Sequence, residues 1–146
     1  MTGDIVCVRP GLTIEALAAL FIDRRISGAP VVDDSGRPIG VVSKSDLVRA
    51  RVEDGVALVA DVWRPEDAWT VHGFHLEPQS AGTVADIMMP LAFTLPEDAT
   101  LSQAAAIMAY EGVHRVPVTA GDGTIVGIIS AMDVVRWLAD HDGYAV

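Results

Sequence analysis

Two segments of the chain carry apolar residues at helical spacing, and each follows a threonine suited to begin a helix. The first segment has Ile14, Leu17, Ala18 and Phe21 after Thr13, and the second has Leu101, Ala104, Ala105 and Met108 after Thr100. Because residues three and four apart share one face of a helix, both segments are predicted to be amphipathic helices with threonine N-caps. At that spacing, Met108 is predicted to be a core residue.

Short β-prone runs surround these helices. The predicted strands are Ile5 to Val8, Pro30 to Val32, Ile39 to Val42, Phe93 to Leu95, Val116 to Val118 and Ile125 to Ile129. Turn-forming residues at Asp33 to Gly36 and Gly121 to Gly123 separate strand pairs, which predicts two hairpins. Ser43 and Ser130 each precede an aspartate by three residues, the spacing of a capping box that opens a further helix.

The predicted elements occur in the same order twice along the chain. A shift of 87 positions with no gap places Thr13 on Thr100, Pro30 on Pro117, Gly36 on Gly123, Gly40 on Gly127, Ser43 on Ser130, Asp46 on Asp133 and Arg49 on Arg136. Repetition at this length indicates two copies of one small α+β unit that pack together with pseudo-twofold symmetry. The same shift places the counterpart of Thr83 to Ile87 before Met1, so the first copy is expected to begin short.

Composition narrows the class of protein. The chain has 146 residues, 51% of them hydrophobic, and a formal net charge of −10, which disfavours binding to nucleic acid phosphates. No apolar run is long enough to span a bilayer and the N-terminus lacks a signal-peptide pattern, so a cytoplasmic location is expected. The single cysteine, Cys7, is predicted to be a small buried hydrophobe.

Residues 51–82 interrupt the repeat and are long enough to contain structure of their own. A short helix is predicted from Val56 to Trp63. His72 and His75 have metal-ligand spacing, but no third ligand is evident nearby, so packing of Trp63 and Trp69 onto the repeats is the preferred interpretation.

The segments Gly40 to Asp46 and Gly127 to Asp133 predict a strand that leads into a helix N-terminus. Unsatisfied N–H groups and the helix dipole favour an anion there, and a carboxylate in the first turn can accept hydrogen bonds from ribose hydroxyls. The alternative is that serine and aspartate only cap the helix.

The paired patterns ISGAPVVDDSGRPIGVVSKSDLVR and VHRVPVTAGDGTIVGIISAMDVVRWL, with VADIMMP before the second, resemble a tandem pair of cystathionine-beta-synthase (CBS) domains, or Bateman module. The resemblance implies two β-α-β-β-α repeats packed sheet to sheet, clefts that bind adenosyl ligands, and disc-like homodimers. It divides the chain into a first repeat at 1–50, an inserted and partly helical linker at 51–82, a second repeat at 83–142 and a tail at 143–146.

The resemblance also implies which residues contact a ligand. Asp46 and Asp133 are similar to the ribose-binding acids, and Ser43 and Ser130 to the phosphate-facing hydroxyls. The remaining candidates are Ser45 and Lys44 beside the first acid, Gly28 and Ala29 as its base-framing backbone, and His114, Arg115, Val116 and Thr94 for the second site. Only the second copy has the cationic pair His114 and Arg115, so the two sites are expected to be unequal.

The function expected from these features is that of a stand-alone regulatory module. It would bind AMP, ADP or ATP between its repeats and signal through a change in conformation or dimer geometry, with an unidentified effector protein as a further expected partner. A scaffold without a ligand, a sensor of S-adenosylmethionine or NADH, and a neutral buried role for His114 remain open alternatives. No catalytic constellation or phosphate-binding glycine loop is evident, so no enzyme activity, required cofactor or metal is expected.

Overall fold

The computed structural model describes residues 5–53, 82–91 and 93–145. The helices are α1 (Ile14–Arg24), α2 (Lys44–Glu53), α3 (Val84–Ile87), α4 (Leu101–Glu111) and α5 (Ala131–His141). The strands are β1 (Gly28–Val32), β2 (Pro38–Ser43), β3 (Met89–Pro90), β4 (Leu95–Pro96), β5 (Arg115–Thr119) and β6 (Ile125–Ser130). The α+β class is therefore confirmed. The predicted helix at 56–63, the two tryptophans and the histidine pair of the insertion lie outside the described residues.

Within the described residues, six strands form two three-stranded sheets, in the orders β1-β2-β3 and β4-β5-β6. Strands β5 and β6 are antiparallel, and β4 runs parallel to β5 with Leu95 opposite Val118. Val8 makes an isolated parallel bridge to Val31, which is the same pairing shifted by 87 positions. The predicted hairpins are present, because β1 neighbours β2 and β5 neighbours β6 across the expected turns.

Two predicted strands are wrong in extent. Among Ile5 to Val8 only Val8 pairs with another strand, and the strand expected from Phe93 to Leu95 begins at Leu95 and continues to Pro96. Both differences have one cause, because a strand exists only where a neighbour offers hydrogen-bonding groups: β4 pairs with Val118 and Thr119 at the end of β5, and Val8 pairs with Val31 near the end of β1. Cys7 is half-buried rather than buried, and burial raises the pKa of its thiol.

Side-chain caps start the long helices where the sequence predicted them. The Oγ1 atoms of Thr13 and Thr100 accept hydrogen bonds from the N–H groups of Ala16 and Gln103, each at 3.2 Å. These bonds satisfy amides that the first turn of a helix otherwise leaves without partners. The two helices also end at equivalent positions with left-handed backbone, at Arg25 with φ 54° and at Gly112 with φ 67°.

The chain forms two compact units that do not coincide with the two repeats. One unit contains the described parts of residues 1–9, 29–41 and 89–146, and the other contains the described parts of 10–28 and 42–88. In the first unit, the second repeat has a core of its own, formed by Leu95, Ala104, Met108, Val116, Val118 and Ile129. The core position predicted for Met108 is confirmed.

The second unit is built from α1, α2 and α3. Its fully or nearly fully buried apolar side chains are Leu17, Phe21, Val42 and Val84. Backbone bonds attach the segment ahead of the second repeat to the start of the first: the N–H of Val84 donates to the carbonyl of Leu12 at 2.8 Å, and that of Ile14 to Gly82 at 3.1 Å. The segment Thr83 to Ile87 therefore packs on residues of the first copy.

The two hairpin turns meet inside the first unit. The N–H of Ile125 donates to the carbonyl of Gly36 at 3.0 Å, and Nη2 of Arg37 donates to the carbonyl of Asp122 at 3.0 Å. Each turn is also closed by an aspartate: Asp33 accepts from Ser35 and Arg37, and Asp122 accepts from Thr124. These hydrogen bonds, first among them those from the Ser35 and Thr124 hydroxyls, lower the pKa of both aspartates.

Candidate functional site

The first candidate site is the corner where β2 leads into α2. Oδ2 of Asp46 accepts hydrogen bonds from the backbone N–H of Ser43 at 2.7 Å and from the Ser43 hydroxyl at 3.0 Å. Its other oxygen, Oδ1, lies 3.3 Å from Nη1 of Arg49. Asp46 is only 4% exposed. A carboxylate this buried needs such partners, because an unpaired charge away from water is costly.

The second candidate site repeats this corner where β6 leads into α5. Oδ2 of Asp133 accepts from the N–H and the hydroxyl of Ser130, both at 2.7 Å, and Ser130 Oγ accepts from the N–H of Asp133 at 3.1 Å. Asp133 is partly exposed, and within the described ranges its Oδ1 has no hydrogen-bond partner. One carboxylate oxygen at the start of a helix is therefore available to a donor from outside.

The pKa of Asp133 is lowered from its ordinary value. Burial by itself raises the pKa, but the hydrogen bonds from the N–H and the hydroxyl of Ser130 outweigh it, and the charge of Arg136 acts in the same direction. The carboxylate is therefore ionised at neutral pH. An ionised carboxylate accepts hydrogen bonds from ligand hydroxyls and offers none.

One backbone hydrogen bond joins each helix start to the segment that was expected to frame a base. The N–H of Lys44 donates to the carbonyl of Ser27 at 3.0 Å, and the N–H of Ala131 donates to the carbonyl of His114 at 2.9 Å. The two bonds are equivalent under the shift of 87 positions. The second of these bonds brings the segment of His114 and Arg115 to the N-terminus of α5.

The other candidate residues divide by exposure. Ala29 and Val116 are buried, at 0% and 1%, Gly28 and Arg115 are half-buried, and Lys44, Ser45, Thr94 and His114 are exposed. Ala29 and Val116 can contribute only backbone groups or a wall, whereas the exposed side chains can reach a solute. Thr94 precedes β4 and has no side-chain bond to the Ser130 and Asp133 corner among the described residues.

The ion pair of Asp46 with Arg49 was not predicted. Arg49 and Arg136 were aligned by the repeat, each three residues after its acid, and this spacing places both on the acid's side of the helix. The structure shows the pair only in the first copy: no ion pair joins Arg136 to Asp133 in the described part of the chain. The repeat spacing could have flagged both arginines, but it could not have distinguished them.

A family model for the CBS domain matches residues 1–53 and 84–140. The chain belongs to the CBS domain family. Its two matched segments contain the two repeats and both serine–aspartate corners, and they leave most of the insertion outside. The resemblance read from the sequence is confirmed.

A plant protein and archaeal proteins are similar in sequence to this chain. The CBS domain-containing protein CBSX1 of Arabidopsis thaliana is 31% identical over 138 residues, which are 91% of this chain and 58% of that chloroplastic protein. An uncharacterized protein of Methanocaldococcus jannaschii, MJ1426, is 29% identical over 82% of this chain and 77% of its own length. The chain spans little more than half the length of the plant relative. Inosine-5'-monophosphate dehydrogenase of Halobacterium salinarum matches over only 22% of its length.

Solved structures show the same fold. CBSX2, in a crystal structure with AMP, superposes with a TM-score of 0.70 and 22% identity over 95% of this chain and 90% of that one. The CBS domain pair of protein MJ0100, solved with 5'-methylthioadenosine and S-adenosyl-L-methionine, gives a TM-score of 0.74 and 19% identity over 97% and 93%. At these identities the likeness establishes the fold of a CBS pair.

Two further searches of the described residues gave negative results. No group of three or more histidine, cysteine or acidic side chains lies close enough there to hold a metal ion. None of the helices in the same ranges is long and apolar enough to cross a membrane.

Proposed function

We propose that this CBS pair is a regulatory module that binds an adenosyl ligand, with AMP, ADP or ATP as the leading candidates. The observation that carries the proposal is the second candidate site, where ionised Asp133 keeps one oxygen unpartnered among the described residues at the N-terminus of α5. In the first unit, the bond from Ala131 to His114 holds the cationic segment at the same helix start. CBSX2 and MJ0100, which share the fold, were solved with adenosyl compounds.

The proposed roles follow from the chemistry of these groups. Asp133 accepts hydrogen bonds from ribose hydroxyls, since its Oδ1 faces no donor of the described chain. The positive end of the α5 dipole and the side chains of His114 and Arg115 favour a phosphate. The Ser130 hydroxyl can donate to that phosphate only after it leaves Oδ2 of Asp133, which accepts its single proton in this structure. Asp46, Ser43, Ser45 and Lys44, with the backbone of Gly28 and Ala29, have the corresponding roles at the first site, and Thr94 lines the second.

Binding regulates the module only if the ligand prefers one arrangement of the chain. An occupancy signal then appears as a change in conformation or in dimer geometry, and coupling of about 1–3 kcal/mol is typical of such systems. The proposal includes no catalysis and no required cofactor. The cytoplasmic location and an effector protein that reads the signal remain predictions.

Isothermal titration of AMP, ADP and ATP tests the site. We expect saturable binding that Asp133→Ala abolishes or weakens at least tenfold, because the ribose acceptor is lost. Asp140→Ala is the matched control, since Asp140 is an exposed aspartate further along α5 and should leave the affinity unchanged. Equal affinities of wild type and Asp133→Ala for all three nucleotides would refute the assignment.

Two alternatives use the same measurement. S-adenosylmethionine or NADH bound more tightly than the nucleotides would replace the proposed ligand, and the compounds solved with MJ0100 favour including the former in the panel. A scaffold that acts only through protein contacts predicts no binding and no thermal shift with any compound. A ligand at 100 times its dissociation constant would instead stabilise the protein by about 2.7 kcal/mol.

We also propose that the module is a homodimer that buries the apolar side of α5. Met132, Val135 and Leu138 on this helix are 55%, 57% and 54% exposed, and Trp137 is 46% exposed and stacks on His141. Contiguous apolar surface of this kind marks an interaction site. Native mass spectrometry should show a dimer that Leu138→Glu converts to monomer; a wild-type monomer at micromolar concentration would contradict the proposal.

A further inference from the structure

The duplication supplies two copies of one corner that differ in a single contact. Asp46 and Asp133 each use Oδ2 to accept two hydrogen bonds from the preceding serine. The difference lies in Oδ1, which receives Nη1 of Arg49 at 3.3 Å in the first copy and no donor among the described residues in the second. At Asp133, Oδ1 is the oxygen proposed to bind the ligand; at Asp46, the equivalent oxygen is already in contact with Arg49.

The Arg49 side chain that contacts Oδ1 of Asp46 is not held in place by the core. Its side chain is 59% exposed, whereas the side chain of Asp46 is 4% exposed. The guanidinium therefore covers a buried acceptor from the solvent side and can leave it without opening the core. The equivalent residue, Arg136, is exposed and influences Asp133 only through its charge.

We infer that Arg49 is an internal competitor for Asp46, so that a ribose hydroxyl must displace its guanidinium before the first site can be occupied. This inference rests on the proposed function. Arg49 is thus a positioning residue that lowers the affinity of the first site, and the second site fills first. One chain then responds to its ligand over two concentration ranges, although its two corners have the same sequence pattern.

The size of the effect follows from the exposure of the pair. Ion pairs that are open to solvent on one side contribute little, and the arginine side chain of this pair is 59% exposed. Removing the competitor should tighten the first site by about two- to fivefold. The effect should be the same for adenosine and for AMP, because the competition concerns the ribose acceptor and not the phosphate.

The experiment isolates the first site by titrating AMP and adenosine into Asp133→Ala and into the double variant that adds Arg49→Ala. We expect the double variant to bind both compounds two- to fivefold more tightly, and Arg49→Lys in the same background to give an intermediate gain. The matched control adds Arg136→Ala to Asp46→Ala and should change the affinity for adenosine less than 1.5-fold, since Arg136 does not cover Asp133.

The possible results separate a failure of the Arg49 inference from a failure of the proposed function. Unchanged affinity of the double variant for both compounds would overturn the inference. A loss of affinity for AMP but not for adenosine when Arg49→Ala is added would also overturn the inference, because Arg49 would then be a phosphate ligand. If Asp133→Ala by itself leaves the tight site intact, the proposed function fails, and this outcome is read before Arg49 is changed.

Discussion

The two serine–aspartate corners allow a stability measurement on matched sites within one chain. Asp46→Ala removes the acceptor of two hydrogen bonds from Ser43 and of one ion pair, at a side chain that is 4% exposed. Asp133→Ala removes two equivalent bonds from Ser130 at a partly exposed position. The same substitution should therefore cost more free energy of unfolding in the first repeat.

The magnitudes follow from the contacts. Hydrogen bonds to a charged group contribute about 1.5–3 kcal/mol when buried, and water replaces part of that contribution at the more open corner. We estimate about 1–2 kcal/mol for Asp133→Ala and about 2–3 kcal/mol for Asp46→Ala, with the Arg49 ion pair supplying about 0.2–1 kcal/mol of the difference. Urea unfolding of the ligand-free protein, followed by far-ultraviolet circular dichroism, measures both.

The control is Asp140→Ala, which removes an exposed aspartate outside both corners and should change the unfolding free energy by less than about 0.5 kcal/mol. Two results would refute the reasoning. One is an Asp133→Ala protein that is destabilised as much as Asp46→Ala or more. The other is an Asp46→Ala protein within 0.5 kcal/mol of wild type, which would mean that water satisfies Ser43 as well as the carboxylate does.

Three further predictions concern other parts of the chain. Leu17→Ala should cost about 2–5 kcal/mol in urea unfolding because Leu17 is fully buried, whereas Ile22→Ala on the same helix, at a residue 77% exposed, should cost less than about 1 kcal/mol. Because the pKa of Asp133 is lowered, its ionised form stabilises the fold above the unfolded pKa of about 3.9, and this stabilisation is lost as the pH falls through the lower folded value. The deficit of Asp133→Asn relative to wild type should therefore shrink between pH 6 and pH 2.5 in an acid unfolding series, and a constant deficit would contradict it. The raised pKa of half-buried Cys7 predicts slower alkylation by iodoacetamide at pH 8 in the native than in the urea-unfolded protein, with equal rates as the contrary result.

Local chemistry made much of the fold predictable. Thr13 and Thr100 mark helix starts because an N-cap acts within three residues, and the hairpins follow turns whose glycines, Gly36 and Gly123, have φ of 79° and 86°. The serine–aspartate corners were found for the same reason, since their hydrogen bonds span three residues. Elements whose existence depends on neighbours close in sequence are the ones that a sequence pattern can specify.

Contacts between distant segments were not predictable in this way. Nothing in the two residues Met89 and Pro90 marks them as a strand, and they become one because the edge of β2 offers backbone groups to them. The Arg49 contact has a related cause. Identical spacing in the two repeats leaves the guanidinium free to choose a rotamer, and that choice depends on packing around α2 and α5 that the local sequence does not encode.

The attachment of α3 and β3 to the first repeat determines where the protein can be divided into two fragments. Pro90 and Met89 pair with Gly40 and Val41 in the first unit, and Val84 bonds to Leu12 in the second, so the boundary suggested by the repeat pattern separates paired segments in each unit. A fragment that ends at residue 82 would expose the edge of β2, and the complementary fragment would begin with residues 83–91, which include α3 and β3, separated from the segments they contact. Co-expressed fragments that are split after residue 91 should reassociate more readily than fragments split after residue 82. The split after 91 keeps residues 83–91, with α3 and β3, on the same fragment as the first repeat.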